Sequence, residues 1–200
     1  MNESGNQSPP TEPELGRLLE DMVRDGWLLG MNAGLDPAFV RMDAVTGVYN
    51  QEYFKALTEE AVADLERGRD PRPGDGPEHG AIAVLSVRIL DLEGLGWTLE
   101  KAGVEDLLNQ VARRLEEVLR ADDFVGRTRD DTFSLLLRGC PPPMLKSISD
   151  RCLEAVGNTP FDVHGSSVTP RVLAGAAQWE SDSGGASDIL AASWRTIGHA

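Results

Sequence analysis

Residues 120–137 read RADDFVGRTRDDTFSLLL, and this stretch decides the fold. Two short runs within it, Phe124–Thr128 and Phe133–Arg138, are rich in apolar, aromatic and β-branched residues and predict two strands. The four residues between these runs, 129–132, are polar and predict a tight hairpin turn. The chain is therefore expected to contain an antiparallel hairpin with a strongly charged tip.

Helices and strands are predicted on both sides of this hairpin. Before it, residues 81–89 form a nearly continuous apolar run typical of a buried strand, and helical spacing over 103–120 predicts a long amphipathic helix. The remaining elements are expected as helices over 52–67, 144–156 and 186–197, and as strands over 161–164 and 169–179 with Gly165-Ser166-Ser167 between them. This order predicts an α/β or α+β domain with a central sheet.

The N-terminal part of the chain has a different character from the rest. Residues 1–11 are polar and contain prolines, which predicts a disordered tail. Residues 12–40 carry apolar side chains at three- and four-residue spacing and predict a helical segment. That apolar stripe is compatible either with a homodimer seam or with packing against the chain's own domain, which spans residues 41–200.

Charge and composition exclude several classes of function. The 200 residues carry 33 acidic and 19 basic side chains, a net charge of −14, whereas DNA and RNA binders need a basic face. No apolar run reaches the ~18 residues of a membrane span, and the first residues lack a secretion signal. Cys140 and Cys152 do not form a redox or metal-binding spacing. We therefore expect a cytoplasmic protein with reduced thiols.

Three stretches together resemble the GGDEF domain, the diguanylate cyclase family of bacteria. Residues 43–50, DAVTGVYN, are similar to the family's D-x-L-T-G-L-x-N opening. The strand at 81–89 and the helix at 103–120 are similar to those that precede the family's signature hairpin. Residues 120–137 are similar to its R-x-x-D, five residues, G-G-D/E-E-F and following strand. The resemblance covers residues 41–200 and implies a palm-like domain with a central, mainly antiparallel sheet flanked by helices.

The resemblance also implies a chemistry. Members of the family join two GTP molecules into cyclic di-GMP with two magnesium ions between two domains, a phosphoryl transfer that depends on positioning and charge neutralisation. Here the signature reads Arg129-Asp130-Asp131-Thr132-Phe133. Arg129 and Asp130 replace the two glycines, so their side chains are expected to fill the nucleotide's space. Thr132 replaces a glutamate of the 3′-hydroxyl chemistry, while Asp131 falls on a metal-binding acid.

A second metal-binding position of the family is also replaced in this chain. Counting back without gaps places Arg88 on a metal-binding Asp and Gly96 on a guanine-reading Asn, whereas Glu105 falls on another guanine-reading acid. Each unit-charge change at ~4 Å is worth roughly 4 kcal/mol at an effective dielectric of about 20, so Arg88 opposes magnesium binding. We therefore expect an inactive domain that requires no cofactor, in which Arg88 pairs with Asp131.

The family's product-binding inhibitory site has a counterpart in this chain. Arg120 and Asp123 form an R-x-x-D five residues before the signature, and Arg151, eighteen residues after Phe133, falls on the second arginine of that site. The resemblance implies that these residues bind cyclic di-GMP, since guanidinium forks suit phosphates and guanine edges. The alternative is that Arg120 and Asp123 form a pair that caps the helix junction, with Arg151 simply exposed.

Three functions are compatible with these residues. The first is an inactive GGDEF-like receptor that binds cyclic di-GMP and signals through contacts with a protein partner. The second is a pseudoenzyme scaffold that binds no nucleotide and acts through its surface, such as hairpin 126–133 or helix 12–31. The third and least favoured is a residual diguanylate cyclase. The tryptophans Trp97, Trp179 and Trp194 are expected in the core.

Overall fold

The computed structural model describes residues 41–68, 81–179 and 184–197, so the predictions for residues 1–40 lie outside the described part. The strands are β1 (Tyr49–Asn50), β2 (Ile82–Ile89), β3 (Phe124–Arg129), β4 (Thr132–Arg138), β5 (Phe161–Val163), β6 (Ser166–Val168) and β7 (Val172–Gln178). The helices are α1 (Gln51–Glu66), α2 (Leu92–Val118), α3 (Pro142–Leu153) and α4 (Ala186–Arg195), and a π-helical turn, Glu154–Asn158, continues α3.

The central sheet has the strand order β1-β3-β4-β2-β7. All its pairs are antiparallel except β1 with β3, which confirms the predicted mixed fold with a mainly antiparallel sheet. Strand β2 lies between β4 and β7, and this interior position explains its almost continuous apolar sequence. Strands β5 and β6 form a separate two-stranded hairpin.

Helices cover both faces of the sheet. On one face, α2 places its apolar stripe, including Leu107, Val111 and Leu115, against the sheet, and α3 adds further buried side chains. On the other face, α1 and α4 bury Phe54 and Ile189 in a second cluster. The two clusters hold the β3–β4 hairpin between helices, which fixes the position of its tip.

The predicted four-residue hairpin turn is wrong. Strand β3 continues to Arg129 and β4 begins at Thr132, so the turn consists of Asp130 and Asp131 alone. A bulge between Arg127 and Arg129 shifts the register so that Arg129 pairs with Thr132. Such a bulge adds one residue to one strand, and the polar character of these residues concealed that extension.

The helix predicted over 103–120 corresponds to the second part of α2, and another predicted boundary is corrected. A first part of α2, which the sequence did not indicate, begins at Leu92, where the Asp91 carboxylate accepts from Gly94 N at 3.2 Å. The two parts are separated at Glu100, whose φ of 57° is not helical. Residues 166–167 are not a turn but belong to β6, since His164 and Gly165, with φ of 50° and 84°, make the connection alone.

The expectation that all three tryptophans lie in the core is wrong for one of them. Trp97 is 86% exposed on the first part of α2, whereas Trp179 and Trp194 are partly buried against the α1–α4 cluster. None of the helices within the described ranges is long and apolar enough to cross a membrane.

Candidate functional site

A cleft of about 730 Å³ lies beside the tip of the β3–β4 hairpin. The hairpin contributes Arg127, Asp130 and Asp131 to its lining, and β2 contributes Arg88. Helix α2 supplies apolar side chains together with the charged pair Lys101 and Glu105, whose Nζ and Oε1 lie 3.6 Å apart. The cleft therefore combines an apolar wall with a charged floor.

The predicted pairing of Arg88 with Asp131 is confirmed by the contact between them. Arg88 Nε donates to Asp131 Oδ2 at 2.8 Å, and Thr132 Oγ1 donates to Asp131 Oδ1 at 2.7 Å. The pairing of β2 with β4 sets this up, because it places Arg88 directly opposite Thr132. Burial raises the pKa of Asp131, but the hydrogen bonds from Thr132 and Arg88 and the charge of Arg88 outweigh it and leave that pKa below its usual value.

These contacts bear on whether the residues around Asp131 fit the magnesium ions that the family resemblance implies. Both carboxylate oxygens of Asp131 already accept hydrogen bonds, and the guanidinium of Arg88 is next to one of them. A cation at Asp131 would have to displace that guanidinium or bear its repulsion. Among the residues that the structure describes, no group of three or more His, Cys, Asp or Glu side chains could hold a metal ion.

Arg129 lies against helix α4. Its guanidinium carbon lies 3.9 Å from the centroid of the Trp194 ring on α4, and Arg129 is not part of the cleft lining. Asp130, in contrast, does line the cleft. Of the two residues that replace the family's glycines, Asp130 thus lines this cleft and Arg129 contacts Trp194, while the expectation that both fill the nucleotide's space stays a prediction. Phe133 is fully buried in the core.

Arg127 joins the hairpin to the opening motif, a role that the sequence reasoning missed. Its Nη1 donates to Asp43 Oδ1 at 3.3 Å, and its Nη2 donates to the carbonyl of Asp130 at 2.8 Å. Asp43 also accepts from Thr46 N and Thr46 Oγ1, and Gly47 follows with φ of 70°. Burial raises the pKa of Asp43, but the bonds from Thr46 and the charge of Arg127 lower it by more. The sequence signal for this link was Asp43 itself, the acid of the opening motif.

The three residues of the predicted inhibitory-type site each contact the chain near the C-terminal end of α2 or lie just beyond it. Asp123 Oδ2 accepts from Arg120 N and Asp123 Oδ1 accepts from Arg138 N, both at 3.2 Å. Arg151 Nη2 donates across from α3 to the carbonyl of Val118 at 3.1 Å. Within the described ranges, the exposed Arg120 guanidinium has no hydrogen-bond or ion-pair partner. Asp123 thus caps the junction through main-chain amides.

A smaller cavity of about 280 Å³ adjoins this helix end. Arg120 and Asp123 line it together with Tyr49 and Phe124, whose ring centroids lie 5.9 Å apart. The end of α2 therefore presents a guanidinium, a carboxylate and an aromatic wall on neighbouring surfaces. This combination is chemically suited to an anion that also carries planar rings.

Comparisons with known proteins agree with this architecture. The family model described as "Diguanylate cyclase, GGDEF domain" matches residues 40–193. Among curated proteins, none matches the chain. The solved GGDEF domain of FimX from Pseudomonas aeruginosa is 23% identical, with a TM-score of 0.68 over 78% of this chain and 90% of that one.

Two further solved structures were found in complexes. The GGDEF domain of DgcB from Caulobacter crescentus, in complex with c-di-GMP, is 14% identical with a TM-score of 0.67, over 80% of this chain and 88% of that one. The diguanylate cyclase SiaD from Pseudomonas aeruginosa, in complex with its activator SiaC, is 19% identical with a TM-score of 0.65, over 92% of this chain and 64% of that one. At these identities the structures support the fold, and together with the family match over most of its length they show that the chain belongs to the GGDEF family.

Proposed function

We propose that this chain is a catalytically inactive GGDEF domain that binds cyclic di-GMP through Arg120, Asp123 and Arg151 and signals through contacts with a protein partner. The observation that carries the proposal is the placement of Arg120 and Asp123 on one cavity just beyond the end of α2, with Arg151 bonded to Val118 at that end and with no partner for the Arg120 guanidinium among the described residues. The complex of the similar DgcB domain with c-di-GMP supports the choice of ligand.

The contacts at the end of α2 suit a cyclic dinucleotide. Arg120 is exposed and can bind a phosphate or a guanine edge without breaking an internal bond. Among the contacts of the described residues, Arg151 has to give up only its bond to the Val118 carbonyl. The two main-chain amides hold the Asp123 carboxylate in one orientation at the end of α2.

The cleft beside the hairpin supports the second part of the proposal, the lack of cyclase activity. The Arg88–Asp131 ion pair takes the place at which the family resemblance implies a pair of metal-binding acids. Asp130 adds a negative charge to the wall that would face the nucleotide, and Thr132 uses its hydroxyl on Asp131. Phosphoryl transfer depends on neutralising the developing charge, and these residues do not supply that neutralisation.

Calorimetric titration with cyclic di-GMP tests the binding site. We expect the wild-type chain to bind, and Arg120→Ala and Arg151→Ala each to weaken binding by about tenfold or more, as for the loss of a charge-assisted contact. The matched control is Arg113→Ala, which removes an exposed arginine from α2, the helix that precedes Arg120, and should leave the affinity unchanged. Absence of binding by the wild type, or equal binding by Arg120→Ala and Arg113→Ala, would refute the proposal.

A residual cyclase is a second candidate because Arg129 lies over Trp194 and leaves part of the cleft open. Incubation with GTP and Mg²⁺, followed by chromatography, separates the two functions. We expect no cyclic product. A product that disappears in an Asp131→Asn variant would establish activity and would contradict the proposed inactivity without touching the binding site on α2.

A nucleotide-independent scaffold is a third candidate, because Asp123 already serves the main chain at the helix junction. Size-exclusion chromatography of the chain with a captured partner, with and without cyclic di-GMP, discriminates between a receptor and a scaffold. A receptor should gain or lose the partner when the ligand is added. A complex that is indifferent to the ligand, formed by a chain that does not bind it, would favour the scaffold.

A further inference from the structure

The signature hairpin contacts helix α4 through a cation–π pair. Arg129 is the last residue of β3 and stands directly before the Asp130–Asp131 turn. Its guanidinium carbon lies 3.9 Å from the Trp194 ring centroid, within the range in which an aromatic face attracts a cation. The Arg129 side chain is thus held by α4 and does not line the cleft.

A second connection runs beneath the sheet surface through four hydroxyl groups. Ser193 Oγ on α4 lies 2.8 Å from Ser86 Oγ on β2, which lies 2.8 Å from Ser134 Oγ on β4. Ser134 Oγ lies 2.7 Å from Thr128 Oγ1 on β3. All four residues are fully buried, with 0% exposure. The chain of hydroxyls therefore crosses from α4 to the strand that carries Arg129.

The two ends of this series of hydroxyls favour one direction for its hydrogen bonds. Ser193 Oγ lies 2.8 Å from the Leu190 carbonyl, whereas Thr128 Oγ1 lies 3.5 Å from the Thr132 carbonyl. Because each hydroxyl has one proton, the shorter of these bonds assigns the Ser193 proton to Leu190, and Ser193 then accepts from Ser86. Ser86 must then accept from Ser134, and Ser134 from Thr128. The terminal donor, Thr128, lies in the bulge that sets the register of the hairpin tip. Removal of α4 would take away Ser193, the acceptor of the buried Ser86 proton. Because the four hydroxyls are linked in series, this loss would weaken the other hydrogen bonds of the series.

The close seating of α4 makes this connection sensitive to small movements. Gly175 on β7 faces α4, and a Cβ built there would lie 2.5 Å from the Ser193 carbonyl oxygen. Thr196 Oγ1 adds a bond of 3.0 Å to the Ala176 carbonyl. At Gly175, α4 therefore rests on strand backbone with no side chain between them that could absorb a shift, while Ile189 packs in the cluster shared with α1.

We propose that α4 and the signature hairpin form one cooperative unit, in which docked α4 holds Arg129 on Trp194 and away from the cleft. A protein that displaces α4 would release the Arg129 charge and loosen the hairpin tip in the same event. The hairpin tip at the opening of the cleft would then become more mobile when a protein displaces α4 on the opposite face of the sheet. This coupling does not depend on cyclic di-GMP binding, because none of its members belongs to the Arg120 site.

Hydrogen–deuterium exchange of the full chain tests this coupling in both directions. We expect Arg129→Ala, a change at an exposed side chain, to speed exchange in α4 by about two- to fivefold, as for the loss of one cation–π pair. We expect Trp194→Leu and Ser193→Ala to speed exchange at residues 126–134 by at least as much. Thermodynamic coupling is reciprocal, so both directions must respond.

Two internal controls separate the coupling from general destabilisation. Exchange in the β5–β6 hairpin should remain unchanged in all three variants, and Arg113→Ala should alter neither α4 nor residues 126–134. If Arg129→Ala changes exchange only around its own position, the proposal is overturned. A Trp194→Leu chain that fails to fold does not protect the proposal, because Arg129→Ala and Ser193→Ala each decide it alone.

Discussion

Arg114 on α2 secures the segment that follows α3, and its replacement by alanine is a quantitative test of that packing. Arg114 Nη1 donates to the carbonyls of Ala155 and Thr159 at 2.9 and 2.6 Å, and Nη2 donates to the carbonyl of Pro160 at 2.6 Å. The guanidinium carbon also lies 3.5 Å from the Phe161 ring centroid. One side chain thus satisfies three carbonyls at the end of the π-helical turn, where the helix itself leaves carbonyls unpaired.

The magnitude follows from the number and exposure of these contacts. A hydrogen bond from a charged donor is worth about 1.5–3 kcal/mol when buried, but two of the three here are exposed and contribute well under half of that. Stacking on the ring adds about 0.5–1 kcal/mol. Burial also lowers the pKa of Arg114, although the guanidinium remains charged. We expect Arg114→Ala to lower the free energy of unfolding by about 3 kcal/mol, a shift of about 1.5 M in the urea midpoint.

Urea unfolding followed by tryptophan fluorescence measures this shift. Arg114→Lys should fall between the wild type and Arg114→Ala, because an ammonium keeps the charge but cannot reach three carbonyls at once. Arg113→Ala is the matched control, since it removes the neighbouring exposed arginine, and it should change stability by less than about 0.5 kcal/mol. If Arg114→Ala loses no more stability than Arg113→Ala, the reasoning from these contacts is wrong.

Three further predictions concern charges and thiols. Burial raises the pKa of Asp43, but the hydrogen bonds from Thr46 and the charge of Arg127 outweigh that effect and leave the pKa below 3.8. The ionised carboxylate therefore stabilises the fold above pH 3.8, and this stabilisation is lost as the pH falls through the pKa of the folded state. Asp43→Asn should weaken this loss of stability at acid pH, measured by urea unfolding at a series of pH values. Arg88→Asp places a second carboxylate beside Asp131, so calorimetry should detect tighter Mg²⁺ binding by the variant than by the wild type, and equal binding by both would contradict this. Burial raises the pKa of the Cys152 thiol to about 12, so a thiol reagent at about pH 8 should label it only after unfolding.

Much of the fold could be predicted from local patterns in the sequence. The continuous apolar run of β2 indicates a strand that is buried on both faces, and the apolar stripe of α2 indicates a helix that is buried on one face. Both elements are found where the sequence predicts them. The early start of α2 could not be seen, because it depends on a cap at Asp91 followed by a residue, Glu100, in a left-handed conformation. Such conformations are rare for residues other than glycine and leave no periodic signal.

The site could be predicted only where strand pairing controls it. Arg88 and Asp131 meet because the register of β2 with β4 is fixed by the apolar alternation of both strands. The direction of Arg129 could not be predicted, because its partner Trp194 is contributed by α4 at the far end of the described chain. The contacts of Arg114 could not be predicted either, since its acceptors are main-chain carbonyls that no side-chain motif marks.

The distribution of satisfied and unsatisfied arginines favours the end of α2 over the cleft as the place for an anionic ligand. At the hairpin end, each arginine has an internal partner: Arg88 has Asp131, Arg127 has Asp43 and Arg129 has Trp194. An anion in the cleft would have to compete with Asp131 for Arg88 and with Asp43 for Arg127, and Asp130 would repel it. Arg120 faces no such competition from the residues that the structure describes. Affinity for phosphate is therefore expected at the site that keeps its guanidinium available, even though the cleft is the larger space.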